Sequence, residues 1–189
     1  MSQHSQISEQ ISELLKQYPD NQVLPLDKWS PEACGEMDLE IKANGEWWHQ
    51  GSLIKRDALV KLFARVLWQE EGRYFLKTPV EKIEITVERL PFQIVDVEVR
   101  QIDGQQVLVF SDSYGDHIAA DQDHPVTVTT DLQSGEPEPA LTVRFGMKGL
   151  ISRSLFYRLI ELAEQEALPD GREQLVLSSA GERFVLGEF

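Results

Sequence analysis

The sequence predicts an α+β fold: two small domains built on a duplicated strand-turn-helix-strand motif, with antiparallel sheets and a β-rich C-terminal domain. Three observations carry this. The run Leu53-Ile54-Lys55-Arg56-Asp57-Ala58-Leu59-Val60-Lys61-Leu62-Phe63 returns as Leu150-Ile151-Ser152-Arg153-Ser154-Leu155-Phe156-Tyr157-Arg158-Leu159-Ile160, at a constant offset of 97 residues (Arg56 to Arg153, Leu62 to Leu159). Much of the remaining chain has period two, as in Ile83, Ile85, Val87 and in Val95, Val97, Val99, the spacing of a half-buried strand. Regular βαβ alternation and a Gly-rich phosphate loop are both missing, which argues against a parallel α/β sheet.

In chain order, Ile7, Ile11, Leu14 and Leu15 give an amphipathic helix over residues 5–17 that ends near Tyr18-Pro19. Asp20 to Gly35 reads as a long loop pinned by Trp29. Asp38–Ala43 and Glu46–His49 flank Asn44-Gly45, a hairpin turn in which both positions need positive φ. A helix from about Lys55 to Gln69 carries Leu59, Leu62, Phe63, Val66 and Leu67 as its core stripe. Arg73 to Thr78 forms a strand, and the same Arg-aromatic-x-Leu pattern recurs at Arg183–Leu186 as the matching exit from the second copy. Thr78-Pro79 marks the domain boundary, giving domains of 1–78 and 79–189. Beyond it come strands around 83–87, 95–99, 106–110, 125–129 and 140–145, with Asp103-Gly104 as a hairpin turn. Ser152 caps a second helix running to about Leu168, stopped by Pro169-Asp170-Gly171, and two strands finish the chain.

At 189 residues and 41% hydrophobic, the chain has material for a core. Its formal net charge of -14 repels a phosphate backbone, so coating DNA or RNA is excluded as a role. No Lys or Arg lies between Arg100 and Arg144, and the basic residues gather around the two repeated units. A single cysteine, Cys34, forms no intrachain disulfide and fits a reducing compartment. The polar start Ser2-Gln3-His4-Ser5-Gln6 lacks the features of a signal peptide, and no stretch approaches the ~20 apolar residues of a membrane helix. The expected location is the cytoplasm, with no membrane partner.

Arg56 and Arg153 mark the two helix starts, where unpaired N–H groups carry partial positive charge. Gly51 and Gly149 lie just upstream, where a glycine lets a ligand approach the backbone. An arginine fork at such a place suits a phosphate or carboxylate. If the copies meet, Arg56 and Arg153 bracket a small anion, with Lys61, Arg144 and Arg158 offsetting the acidic surroundings. For each arginine alone, an internal ion pair is the competing role. Asp116, His117, Asp121, Asp123 and His124 form an acid–histidine cluster whose spacing matches no metal-binding pattern. Ser52, Ser152 and Ser154 have no nucleophile-elbow motif. Trp47, Trp48 and Trp68 suit packing more than base stacking.

The segments Trp48-x-x-Gly51-x-x-Ile54-x-Arg56, Leu59–Phe63, Gly72-Arg73-Tyr74-x-Leu76-x-Thr78-Pro79-Val80-Glu81-Lys82, Val87-Glu88-x-x-Pro91-Phe92 and Asp123-His124-Pro125 resemble the proteobacterial domain-of-unknown-function family 1285, from about Trp29 to the C-terminus. That resemblance implies a duplicated two-domain core whose C-terminal part superficially resembles pleckstrin-homology folds. It also implies a nucleotide-like ligand at the domain interface and a role in signalling. The expected function is a non-enzymatic ligand-binding or signalling protein taking a small anionic ligand. The alternatives are an enzyme acting on a phosphorylated small molecule and a protein-interaction module that engages a protein partner. No cofactor is assigned.

Overall fold

Ile7, Ile11 and Leu15 recur on one side of helix α1 (Gln3–Leu15) and are buried. That single apolar stripe is what a surface helix needs to dock. The computed structural model describes residues 3–20, 22–132 and 134–189; Ser2, the first polar residue of the terminus, lies outside them. The chain divides into two compact units, residues 1–89 and 90–189.

In the first unit, α1 packs on α2 (Asp57–Arg65). The strands are β1 (Ala33–Ile41), β2 (Trp47–His49), β3 (Ser52–Leu53), β4 (Leu67–Glu70), β5 (Arg73–Lys77) and β6 (Glu81–Val87), in the sheet order β3-β2-β1-β6-β5-β4. Leu39, Ile41, Trp47, Phe63, Leu67 and Leu76 are essentially sealed from water. Trp47 lies 6.1 Å from Phe63, which joins the sheet to α2. The loop before β1 is held by Leu24 and Leu26, both buried around a 3-10 turn at Leu26–Lys28. The expected pin, Trp29, is half-buried and meets Tyr18 edge-on at 6.4 Å.

The second unit contains β7 (Phe92–Ile102), β8 (Gln105–Asp112), β9 (His117–Ala119), β10 (Val126–Thr130), β11 (Pro137–Arg144), β12 (Met147–Ile151), α3 (Arg153–Leu162), β13 (Glu164–Ala167), β14 (Glu173–Ser179) and β15 (Glu182–Glu188). One sheet has the order β10-β11-β12-β7-β8-β9, and β13-β14-β15 form a second. The α+β class and the β-rich C-terminal part therefore hold. The sheets are not all antiparallel: β1 pairs parallel with β6, and β12 with β7.

Both units contain the same order of elements: a three-strand meander, a helix, and a second three-strand meander. The series is β1-β2-β3-α2-β4-β5-β6 in one and β10-β11-β12-α3-β13-β14-β15 in the other. The last strand returns beside the first in each, hydrogen-bonded for β6 on β1 and adjacent for β15 on β10. Strands β7–β9 are additional in the second unit. The repeat is thus longer than the motif expected, and one detail of it changes. Arg73–Leu76 lies in the middle strand β5, whereas Arg183–Leu186 lies in the third strand β15, so these two exits are not equivalent.

Both helices are shorter than their apolar spacing suggests. The segments expected as their last turns are strands instead: β4 pairs with β5 and β13 with β14. Glu71 (φ 50) and Gly72 (φ 77) close the first of these pairs as a two-residue turn. Pairing with β5 and β14 gives these segments inter-strand hydrogen bonds in place of further helical ones, and it buries Leu67 as well. Asp103 (φ 51) and Gly104 (φ 78) form the expected hairpin turn. At Asn44-Gly45 only Gly45 is left-handed (φ 87), in a longer connection where Gly45 N–H donates to the Lys42 carbonyl.

The boundary also moves. Thr78–Glu81 is a tight turn within the first unit, where the Thr78 hydroxyl accepts the Glu81 N–H at 3.1 Å. β6 then pairs with both β1 and β5, so the units divide between Arg89 and Leu90, not at 78–79.

Candidate functional site

Arg56 is the N-cap residue of α2, in extended backbone (φ -89, ψ 99), and its side chain does not cap the helix. Arginine has no acceptor with which to bind the first N–H groups. The Arg56 carbonyl accepts from Leu59 and Val60, while the Asp57 and Ala58 N–H groups have no protein acceptor among the described residues. Lys55, Arg56 and Lys61 are all exposed there, and none forms an ion pair or hydrogen bond through its side chain among the described residues. Asp57, in the first turn, is the local carboxylate set against these three cations.

The start of α3 is different. Ser152 is its N-cap, and the hydroxyl accepts the Leu155 N–H at 3.3 Å. Arg153 is the first residue inside the helix, so the residue structurally opposite Arg56 is Ser152. Arg153 is exposed, donates to the Tyr157 hydroxyl at 3.3 Å and approaches Glu136 at 3.6 Å. Arg158 binds the Asp96 carboxylate at 2.7 Å and the Val97 carbonyl at 3.1 Å, tying α3 to β7.

Arg144, at the end of β11, has a nearly buried side chain, with its guanidinium 4.8 Å over the Phe92 ring and 3.4 Å from Asp116. Beside it, Asp112 accepts the Tyr114 and Asp116 N–H groups through Oδ1, while its Oδ2 is buried with no hydrogen-bond partner. Burial pushes the Asp112 carboxyl above its ordinary value, against the pull of those two bonds and of Arg144. The five expected ligand residues therefore separate. Arg56 and Lys61 are free in the first unit, whereas Arg144, Arg153 and Arg158 each face an acid in the second.

Each of the upstream glycines has a role in the backbone itself. Gly51 (φ 71) follows Gln50 (φ 48) in the β2–β3 turn. At Gly149 a Cβ would lie 2.7 Å from Ile94 Cδ1 and 3.0 Å from Phe92 Cβ, so the missing side chain makes room for β12 on β7.

Asp121 accepts the Asp123 and His124 N–H groups and contacts the His124 ring at 3.0 Å, which makes it a turn-former. No group of three His, Cys, Asp or Glu among the described residues is placed to hold a metal ion. Cys34 is exposed at the start of β1, not in a loop. Trp47 is core, and Trp48 is half-buried with its Nε1 donating to Glu46. Trp68 carries the Lys77 ammonium 3.9 Å above its ring centroid. Lys77 is only 5% exposed, and burial pushes its amine below the ordinary lysine value. Sequence reading missed this Lys77–Trp68 stack because Trp68 was placed on a helix. Leu67-Trp68-Gln69-Glu70 carries no apolar–polar alternation, and only its pairing with Arg73–Leu76 across the turn makes it a strand.

A family model described as "Domain of unknown function (DUF1285), N-terminal domain" matches residues 24–90, and one described as "Protein of unknown function (DUF1285), C-terminal domain" matches 91–186. The boundary between the two matches, at 90/91, falls within a residue of the division between the two units. Among solved structures, a DUF1285 family protein from Silicibacter pomeroyi DSS-3 is 38% identical over 93% of both chains, with a TM-score of 0.79. A second, from Shewanella baltica OS155, is 29% identical, with 66% of this chain and 91% of that one covered and a TM-score of 0.52. No curated protein matches.

Proposed function

The chain belongs to the DUF1285 family, and on that footing we propose that it is a non-enzymatic, cytoplasmic ligand-binding or signalling protein whose ligand is a small, nucleotide-like anion held at the start of α2. One observation carries this reading: among the described residues, Lys55, Arg56 and Lys61 have no side-chain partner and the Asp57 and Ala58 N–H groups no acceptor. In a chain with 32 acidic residues against 18 basic ones, three neighbouring cations without a carboxylate partner are unexpected. The first N–H groups of a helix and an arginine fork together supply directed donors for phosphate oxygens. The paired state of Arg153, Arg158 and Arg144 makes the second copy a poorer anion site, so the repeat has diverged in this respect. No helix among the described residues is long and apolar enough to cross a membrane.

The test is recovery of bound small molecules from the purified full chain by gentle denaturation and mass spectrometry. A phosphate-bearing compound is expected from the unaltered protein. Arg56→Ala should retain ten- to a hundredfold less of it, the loss for one charge-assisted bond of about 1.5–3 kcal/mol. An uncharged compound, or equal recovery from Arg56→Ala, overturns the reading. Turnover of the recovered compound would favour the enzyme reading at the same site.

A further inference from the structure

β7 is paired on one side with β8 along its length, but on the other side β12 reaches only Phe92, Gln93 and Ile94. The outer edge from Val95 to Ile102 therefore has no neighbouring strand among the described residues. The Ile94 carbonyl faces outward and accepts the Ser152 N–H at 3.3 Å. A register shift between Ile94 and Asp96 changes the parity, so Val97 faces outward next. Its N–H binds the Asp96 carboxylate at 2.8 Å and its carbonyl binds Arg158. By alternation, the N–H and C=O groups of Val99 and Gln101 also point outward. There α3 no longer covers the edge: residues 98–102 are all exposed, Val99 at 43% and Ile102 at 49%.

We propose that this edge pairs with the same edge of a second copy of the chain, antiparallel and centred on Val99, joining two six-stranded sheets across a twofold axis. Self-pairing of one strand is isologous, so each side-chain crossing occurs twice. Centring on Val99 places the outward groups of Val99 against those of its counterpart. It also sets Glu98 opposite the other copy's Arg100, and Arg100 opposite the other copy's Glu98, at the close non-hydrogen-bonded positions. A shift of the centre by one residue toward the tip puts arginine against arginine. A shift by one the other way puts glutamate against glutamate. Charge thus selects one register. Within one chain Arg100 and Glu98 already lie 2.6 Å apart, so the two pairs form a four-charge cluster across the seam. The occupant is a second copy and not an unrelated strand, because the charge pattern is complementary to itself.

Sedimentation of the full chain over a range of concentrations tests this. The unaltered protein should convert from monomer to dimer with rising concentration. Glu98→Arg and Arg100→Glu each create two like-charge crossings and should weaken the dimer by at least about tenfold. The double variant Glu98→Arg with Arg100→Glu restores opposite charges and should recover it. All these residues are exposed, so melting temperatures measured at a concentration where every form is monomeric should stay unchanged and serve as the folding control. A monomer at every concentration, a dimer indifferent to the single changes, or a double variant no better than the singles overturns the proposal.

Discussion

Arg56 and Arg144 are both arginines flagged by position, yet they do different things. Arg144 is enclosed by Phe92, Asp112 and Asp116, so Arg144→Met leaves two carboxylates without their buried counter-charge. Its loss should cost about 1–3 kcal/mol of stability by chemical denaturation, since Asp116 is half exposed and only Asp112 stays buried. Arg56→Ala should change stability by less than about 0.5 kcal/mol, since the side chain touches no partner among the described residues. Asp112 provides a pH signature. Burial raises its carboxyl in the folded state above its ordinary value. As pH rises through the window between the two values, the unfolded chain releases the proton first and binds fewer protons than the folded one. Stability contributed by this group therefore falls with rising pH and levels off above the folded value. Asp112→Asn should remove that fall, so the variant gains on the parent as pH increases from 4 upward. Parallel pH profiles would contradict it. None of this was legible in the sequence, which shows that a basic residue is present but not which carboxylate lies across the sheet from it.

At the level of elements, strands and hairpin turns were largely readable, because period two and Asp103-Gly104 are local signals. Helix ends were not. Leu67 follows the α2 stripe at helical spacing, but its partner Leu76 lies across a turn and draws it into a strand. The same truncation after α3 shows that a shared topology, more than local propensity, decides where these helices stop. Two substitutions check the elements around α3. Ser152→Ala removes the bond to Leu155 and should cost about 1 kcal/mol. Gly149→Ala forces a Cβ into Ile94 and Phe92 and should cost about 1–3 kcal/mol by separating β12 from β7. A neutral Gly149→Ala would mean that the parallel pairing at Phe92–Ile94 is looser than its contacts indicate.

Across the whole molecule, the duplication was legible as the Leu-Ile-x-Arg repeat, but its extent was not. The meanders on either side of each helix share topology without sharing an obvious residue pattern, since pairing constrains burial more than identity. The repeated arginine also suggested two equal sites, and charge pairing makes them unequal: Arg153 and Arg158 of α3 face Glu136 and Asp96, while Arg56 and Lys61 at α2 have no acidic partner among the described residues. That inequality is the central claim. Its most direct measurement is a titration of the isotopically labelled full chain with inorganic phosphate and with a nucleoside monophosphate, followed by amide NMR. The account predicts saturable shifts at Asp57 and Ala58, weaker or absent shifts at Arg153 and Ser154, and loss of the first set in Arg56→Ala. Shifts of equal size at both helix starts, or undiminished shifts in Arg56→Ala, would contradict it.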